Sequence, residues 1–313
     1  IEATRLTPDL DGFDIDGFLA GLRPAASVHA RHTVGMVDPI QSPAEPIGDG
    51  LPETLTQVVA TYGQRYFKLK VGGDVAADLE RLAEIAAVLD RIDGPYYATL
   101  DGNEQYGDVE AITELWQAIL ARPDLARLAA SVLFIEQPIT RAQALARDVS
   151  TLSKLKPVII DESDATLDVF PAARELGYRG VSSKSCKGLY KSILNRARCR
   201  HWNEAAGRGH YFMSGEDLST QAGLSVQQDL ALASLLGLTH IERNGHHYVD
   251  GLSGVAEPEQ QAFLDAHPDL YHRADGPVRL TIQGGLIALG SLDRPGFAAS
   301  AEPDWNAMRE MEI

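Results

Sequence analysis

The chain has 313 residues, of which 44 are acidic and 28 basic, for a formal net charge of −16 at pH 7. Hydrophobic residues at 44% and charged residues at 23% give the balance of a folded globular chain and exclude a disordered one. The acidic excess excludes a protein that tracks nucleic-acid phosphates, which needs a basic stripe, and argues against docking on an anionic membrane.

Along the chain, no apolar run reaches the ~18 residues of a spanning helix. No stretch reads as a signal peptide. The two cysteines, Cys186 and Cys199, form neither a C-x-x-C pair nor a zinc-type cluster, so packed, reduced thiols and a cytoplasmic location are expected. Residues 1–27 hold a short helical pattern, Ile15–Leu22, closed by Arg23-Pro24. From residue 28 onward, β-rich runs alternate with helical ones. Strands are expected near Val28–Val37, Tyr66–Val71, Tyr96–Asp101, Val132–Glu136, Val158–Asp161, Gly180–Lys184, Tyr211–Ser214 and Thr239–Glu242. Helices are expected at Leu51–Tyr62, Val75–Ile92, Val109–Ala121, Ala142–Leu155, Leu167–Leu176, Leu189–Ala206 and Ser219–Leu236. The second is the clearest, with Leu82, Ile85, Leu89 and Ile92 on one face.

Eight strands with seven crossover helices nearly exhaust the inventory of a (β/α)8 barrel and predict an α/β fold, a TIM-type barrel over residues 28–256. An open doubly wound sheet is the alternative, but no G-x-G-x-x-G follows the first strand. The Pro- and Gly-rich stretch Pro39–Gly50 reads as a long loop at the strand end where barrel sites form. After strand eight comes Asn244-Gly245-His246-His247. The segment 257–313 then holds a helix from Pro258 and a hairpin, Val278–Ile282 with Leu286–Leu289, turned at Gly284-Gly285.

Barrel enzymes carry their chemistry at the C-terminal ends of the strands. Strand two ends Lys68-Leu69-Lys70, and alternation puts both lysines on one face, where each would depress the pKa of the other. Strands three, four and five each break from an apolar run into a carboxylate: Asp101, Glu136, and Asp161 followed by Glu162. Three uncompensated carboxylates on one rim repel, and a hard divalent cation resolves that, oxygen ligands selecting magnesium. Of Asp161 and Glu162, the former lies nearer the apolar run and is expected to face the metal. The competing reading, in which each carboxylate caps the next helix, explains any one case but not three in succession. Strand six ends Ser183-Lys184-Ser185-Cys186-Lys187-Gly188, which sets Lys184 across the barrel from Lys70. Lys187 has the wrong parity and reads as a supporting or helix-start residue, and Cys186 as a packed thiol.

These residues resemble the enolase superfamily on its muconate-lactonizing-enzyme side. The carriers are K-L-K at 68–70, D-G-N at 101–103, I-E-Q-P at 135–138, I-D-E-S at 160–163 and S-K-S-C-K-G at 183–188, in order and one per strand. P-G-F at 295–297 and E-P-D-W at 302–305 add to it. The resemblance implies a (β/α)7β barrel and one Mg²⁺ on Asp101, Glu136 and Asp161. It also implies Lys70 and Lys184 as acid/base groups and Lys68 as an auxiliary catalytic lysine. Asn103, Glu216, Glu242 and His246 are candidates for substrate contacts. Members carry an N-terminal α+β capping domain that selects substrate, whereas here the barrel starts near residue 28. Residues 1–27 are expected to be the end of such a domain, and the segment 257–313 to return to its side. No lysine or histidine base follows strand seven in the mandelate-racemase manner.

The implied chemistry is removal of the proton α to a carboxylate through an enediolate stabilised by the metal. Racemisation or epimerisation, cycloisomerisation and β-elimination all remain open. A retaining glycosidase using Glu136 and Glu216, a Schiff-base aldolase using Lys184 and a non-catalytic barrel are the competing readings. The expected partners are a small carboxylate substrate and further copies of the chain, with no nucleic acid and no membrane.

Overall fold

The computed structural model describes residues 7–43, 45–207, 209–216, 218–296 and 298–307. Ile1 to Leu6, Ala44, Asp217 and Phe297, which fall within stretches singled out above, lie outside the described residues. Eight parallel strands close on themselves: β1 (Ser27–Val34), β2 (Tyr66–Lys70), β3 (Tyr97–Asp101), β4 (Val132–Glu136), β5 (Val158–Ile160), β6 (Gly180–Ser183), β7 (Phe212–Gly215) and β8 (His240–Glu242). They pair in sequence order, and β8 returns to β1 with Arg31 opposite Glu242. The α/β barrel expected from alternating strands and helices is therefore what forms, and the open sheet is not.

Crossover helices cover the outside, and several carry the start signals their sequences advertise. Thr54 and Gln57 form a reciprocal capping box on Leu55–Tyr62, Asp74 caps Val75–Leu89, and Asp108 caps Val109–Ala121. The expected helix 142–155 is instead two short ones, Arg141–Ala144 and Ser150–Leu155. A further helix, Ala126–Ser131, enters before β4. Among the described residues no helix is long and apolar enough to cross a membrane.

Strand alternation sorts side chains into two populations. Phe67, Leu69, Leu100, Ile135, Ile160 and Val181 point outward and are fully or almost fully buried against the helices. The inward set is aromatic at the N-terminal end of the barrel. Tyr66 stacks on Tyr97 and on His240 with ring centroids 4.9 Å apart in both cases, and Phe134 meets Phe212 at 5.5 Å. This closes one end of the lumen, so charged side chains collect towards the other.

After β8 comes a single helical turn, Gly245–Tyr248. His246 and His247 thus lie on a turn of helix and not on alternate faces of a strand. The helix Glu257–Ala266 follows, then β9 (Tyr271–His272) paired with β10 (Arg279–Leu280). The hairpin expected between 278–282 and 286–289 is replaced by two pairings. β11 (Leu286–Ala288) leaves β10 and runs antiparallel to the first residues of β1, Ser27 facing Ala288. Glycines at the turn permit it: Gly284 and Gly285 both have positive φ. This strand lies at the N-terminal end of the barrel.

His32 lies on β1 facing the helix layer and is buried, its ring 5.2 Å from that of His246 and 5.5 Å from that of His247. Burial, reinforced by His247, lowers its pKa to about 3. The folded protein therefore holds His32 neutral while the unfolded chain takes up its proton near pH ~6.5. Stability tied to this residue is present above that pH and lost as pH falls towards about 3, by up to about 1.4 kcal/mol per pH unit. His32→Phe should flatten the acid limb of a urea-stability profile by one proton; a limb as steep as the parent's would refute the assignment.

Candidate active site

The inward faces of the strands bring the polar residues of the sequence to one end of the lumen. Lys70 Nζ donates to Asp101 Oδ2 at 2.6 Å. Lys184 Nζ lies 3.0 Å from Asp161 Oδ2, on the far side of the row of carboxylates. Glu136, on β4 between β3 and β5, is buried, and its Oε2 has no hydrogen-bond partner. Burial raises its pKa well above the usual carboxylate range. Glu216, Asp101 and Asp161 push it up further, against the pull of Lys68. Burial also opposes ionisation of Asp161, but Lys187 and Lys184 outweigh it and hold that carboxyl well below the usual range.

Beneath this rim, Lys68 is caged. Its ammonium reaches Asp101 Oδ2 at 2.9 Å, Glu136 Oε1 at 3.1 Å, Glu216 Oε2 at 3.0 Å and Glu242 Oε2 at 2.9 Å. Its side chain is 2% exposed against 22% for Lys70 and 14% for Lys184. Lys70 and Lys184 therefore reach the mouth and Lys68 does not. The expected mutual depression of the two lysines fails for Lys68: burial works against its charge, yet the four carboxylates raise its pKa well above normal. Arg31 on β1 closes the cage from the opposite side. It pairs with Glu216 at 2.5 Å and donates to Ser214 Oγ and the Gly215 carbonyl, both at 2.9 Å. Glu242 also accepts from Thr33 Oγ1 and from Asn244 Nδ2, the latter at 2.8 Å.

Asp161, not Glu162, turns to the lysines, as its position after the apolar run suggests; Glu162 accepts from Asn103 Nδ2 at 2.6 Å. Glu216 and Glu242 belong to the buried cage and not to a substrate-facing surface. The candidate glycosidase pair, Glu136 and Glu216, shares the Lys68 ammonium, which leaves no gap between them for a glycosidic bond. His246 lies outside the lumen, packed against His32 and Tyr62 on the outer side of the wall. Cys186 is exposed, not packed, whereas Cys199 is buried. Lys187, set aside on parity, does reach the rim. A 3-10 turn over Ser185–Lys187 replaces strand geometry there, and Lys187 donates to Asp161 Oδ1 at 2.7 Å and to Ser182 Oγ at 2.6 Å. Arg31 was missed altogether, although its place in H-A-R-H-T, two residues from Thr33, shares the inward parity.

Among the described residues, no three acidic, histidine or cysteine side chains already stand close enough to hold a metal ion. The donor chemistry nonetheless suits a hard cation, with carboxylates from three consecutive strand ends and a buried, unpartnered Glu136 oxygen.

Lys68→Met would leave four buried carboxylates short of a cation. The expected loss is about 3–5 kcal/mol, the usual consequence of removing one partner from a buried ion pair. Carboxylates left without their cation hold protons more tightly in the fold than in the unfolded chain, so the deficit should widen as pH rises above ~4.3. Urea unfolding at pH 5 and pH 8 measures this; equal stability of variant and parent at pH 8 would refute the cage.

No protein-family model matches the sequence, and no curated protein matches it. The fold is similar to that of several solved structures. One is a mandelate racemase/muconate lactonizing protein from Herpetosiphon aurantiacus, with TM-score 0.55, 19% identity, and coverage of 88% of this chain and 67% of that one. A muconate lactonizing enzyme from Mycobacterium smegmatis gives 0.56, 19%, 93% and 68% on the same measures. A 2-chloromuconate cycloisomerase from Rhodococcus opacus 1CP gives 0.54, 18%, 88% and 64%. The chain spans about two thirds of the length of these structures. Its fold is similar to that of these mandelate racemase and muconate lactonizing proteins.

Proposed function

We propose that the protein is an acid/base enzyme of the isomerase or lyase type that removes the proton α to the carboxylate of a small organic acid, with Mg²⁺ held by Asp101, Glu136 and Asp161. The observation that carries this reading is the placement of Lys70 and Lys184 at opposite ends of the carboxylate row, paired with Asp101 and Asp161 respectively. The muconate lactonizing and cycloisomerase activities named for the structural neighbours support the same class of reaction.

When bound, the cation supplies positive charge to the substrate carboxylate and to the extra negative charge that develops as the proton leaves. The chain's own residues do the rest. Lys70 and Lys184 are exposed enough to touch a ligand, each beside one carboxylate of the row. One lysine, as its neutral amine, takes the α-proton and becomes an ammonium, and the other, as an ammonium, delivers a proton to the opposite face or balances charge. Lys68 cannot reach the ligand and serves to neutralise the carboxylates from below. Arg31, Lys68, Lys70, Lys184 and Lys187 match Asp101, Glu136, Asp161, Glu216 and Glu242 in number. A divalent cation therefore leaves an excess of two positive charges, which a carboxylate that loses its α-proton neutralises. A glycosidase leaves these lysines without a task, and an aldolase does not need the carboxylate row.

The test is α-proton exchange followed by NMR in D₂O, across carboxylic acids, sugar acids and amino-acid derivatives, with Mg²⁺ or with EDTA. Loss of either Lys70 or Lys184 to alanine should slow exchange by about 10²–10⁴-fold, the usual worth of a general acid or base. Exchange that survives the double variant, or that ignores EDTA, would overturn the reading.

A further inference from the structure

The three carboxylates of the rim stand on neighbouring strands, and the residue after Glu136 joins the ends of those strands. Gln137 is fully buried, and its backbone has φ +32°, in the left-handed region that favours glycine. Pro138 follows it, and a proline pushes the residue before it towards extended backbone, so the conformation runs against local preference. Asn103 and Glu104, in the loop after β3, also have positive φ. Among the described residues these are three of the four non-glycine residues in that region, the fourth being Ala298. Strain of this kind persists only where the surroundings hold it, and it gathers at functional sites.

The conformation of Gln137 follows from how β4 meets β5. Their last paired residues are Glu136 and Ile159, and the Gln137 N–H donates to the Ile159 carbonyl at 3.0 Å. The next rung of a parallel ladder would run from the Asp161 N–H to the Gln137 carbonyl. That carbonyl instead accepts from the Glu104 N–H, at 2.9 Å. The side chain takes its place. Oε1 accepts from the Asp161 N–H at 3.0 Å and from the Ser163 N–H at 3.4 Å. Nε2 donates to Ser163 Oγ at 2.8 Å and to the Ile139 carbonyl at 3.1 Å. Gln137 therefore ties together the ends of all three carboxylate-bearing strands: β4 by its own backbone, β3 through Glu104, and β5 through Ile159, Asp161 and Ser163. Gly102 adds to the clasp, its N–H donating to the Glu136 carbonyl at 3.0 Å, and a Cβ on it would lie 2.5 Å from Pro138 Cα.

We infer that Gln137 is a positioning residue: its side chain and left-handed backbone set the spacing of the strand ends that carry Asp101, Glu136 and Asp161, and so the fit of those carboxylates to a divalent cation. The inference rests on the metal reading proposed above. The side-chain amide makes all four of its hydrogen bonds to the protein, which leaves none for a ligand. It carries no charge, so it acts on a bound cation through spacing and not through its own field.

Isothermal titration of the purified chain with MgCl₂, beside urea unfolding of the same metal-free samples, tests this. The parent should bind one Mg²⁺ per chain. Gln137→Met, which removes the amide and adds no charge, should weaken that binding by about tenfold or more, the usual cost of losing a group that orients a metal ligand. Gln137→Asn keeps an amide and suits the left-handed backbone, yet is one methylene too short to span the same partners. It guards against a fold defect in the first variant and should weaken Mg²⁺ binding by about tenfold as well. Gln227→Met removes another fully buried amide, on the helix Leu224–Leu236, whose Nε2 donates to Tyr271 Oη at 2.9 Å. It should lower stability and change Mg²⁺ affinity by less than about twofold. Equal Mg²⁺ affinity in the parent and either Gln137 variant would overturn the inference and leave the metal reading standing. So would a Gln227→Met variant whose affinity falls as far, since Gln137 would then be a structural amide like any other. A parent that binds no Mg²⁺ would overturn the metal reading itself, and this inference with it.

Discussion

The ammonium group of Lys68, held by carboxylates from four strands, is the interaction on which the rest of the lumen depends. Carboxylates buried this deeply remain charged only if a cation reaches each of them. One lysine at the axis shares its charge among Asp101, Glu136, Glu216 and Glu242, Arg31 supplies a second charge through Glu216, and Glu136, left with one unpartnered oxygen, holds its proton more tightly. Beneath this layer lie the rings of Tyr66, Tyr97, Phe134 and Phe212. Two cations against four carboxylates leave this buried layer short of positive charge, and the rim lysines Lys70, Lys184 and Lys187 make up the difference.

This division of depth gives two lysines of one motif opposite fates. Lys68 and Lys70 share a face of β2, but two residues of strand separate them by about 6–7 Å along the strand. The lower one is locked among carboxylates, while the upper one meets a single carboxylate and the open mouth. A short motif of identical residues thus codes for a fixed counter-charge and a group free to exchange partners, and the difference lies entirely in which strands stand opposite.

Much of the fold was legible because alternation and spacing are local signals. The apolar runs that break into Asp101, Glu136 and Asp161 report strand ends without any knowledge of partners. The choice of Asp161 over Glu162 follows from the same reasoning. What was not legible depends on neighbours far along the chain. Arg31 reads as an ordinary polar residue until Ser214 and Glu216 arrive beside it, 183 positions away in the first case. Lys187 was misjudged because strand parity was carried into a 3-10 turn, where it no longer applies. His246 was assigned to the mouth because it follows β8. The one-turn helix carries it behind the wall instead, and an Asn-Gly-His-His run holds no signal for that.

The strand Leu286–Ala288 shares with β8 the edge of β1 that faces away from β2, and both partners lie more than 200 residues downstream of it. Until they arrive, β1 can pair only with β2, and its other edge offers unpaired backbone groups to any passing strand. Such closure over a long loop carries a large entropic cost and slows the final step of assembly. The vulnerable species in this protein is therefore an open barrel, complete in its local units but unsealed at one seam, and self-association through the free edge of β1 is its natural route to aggregation.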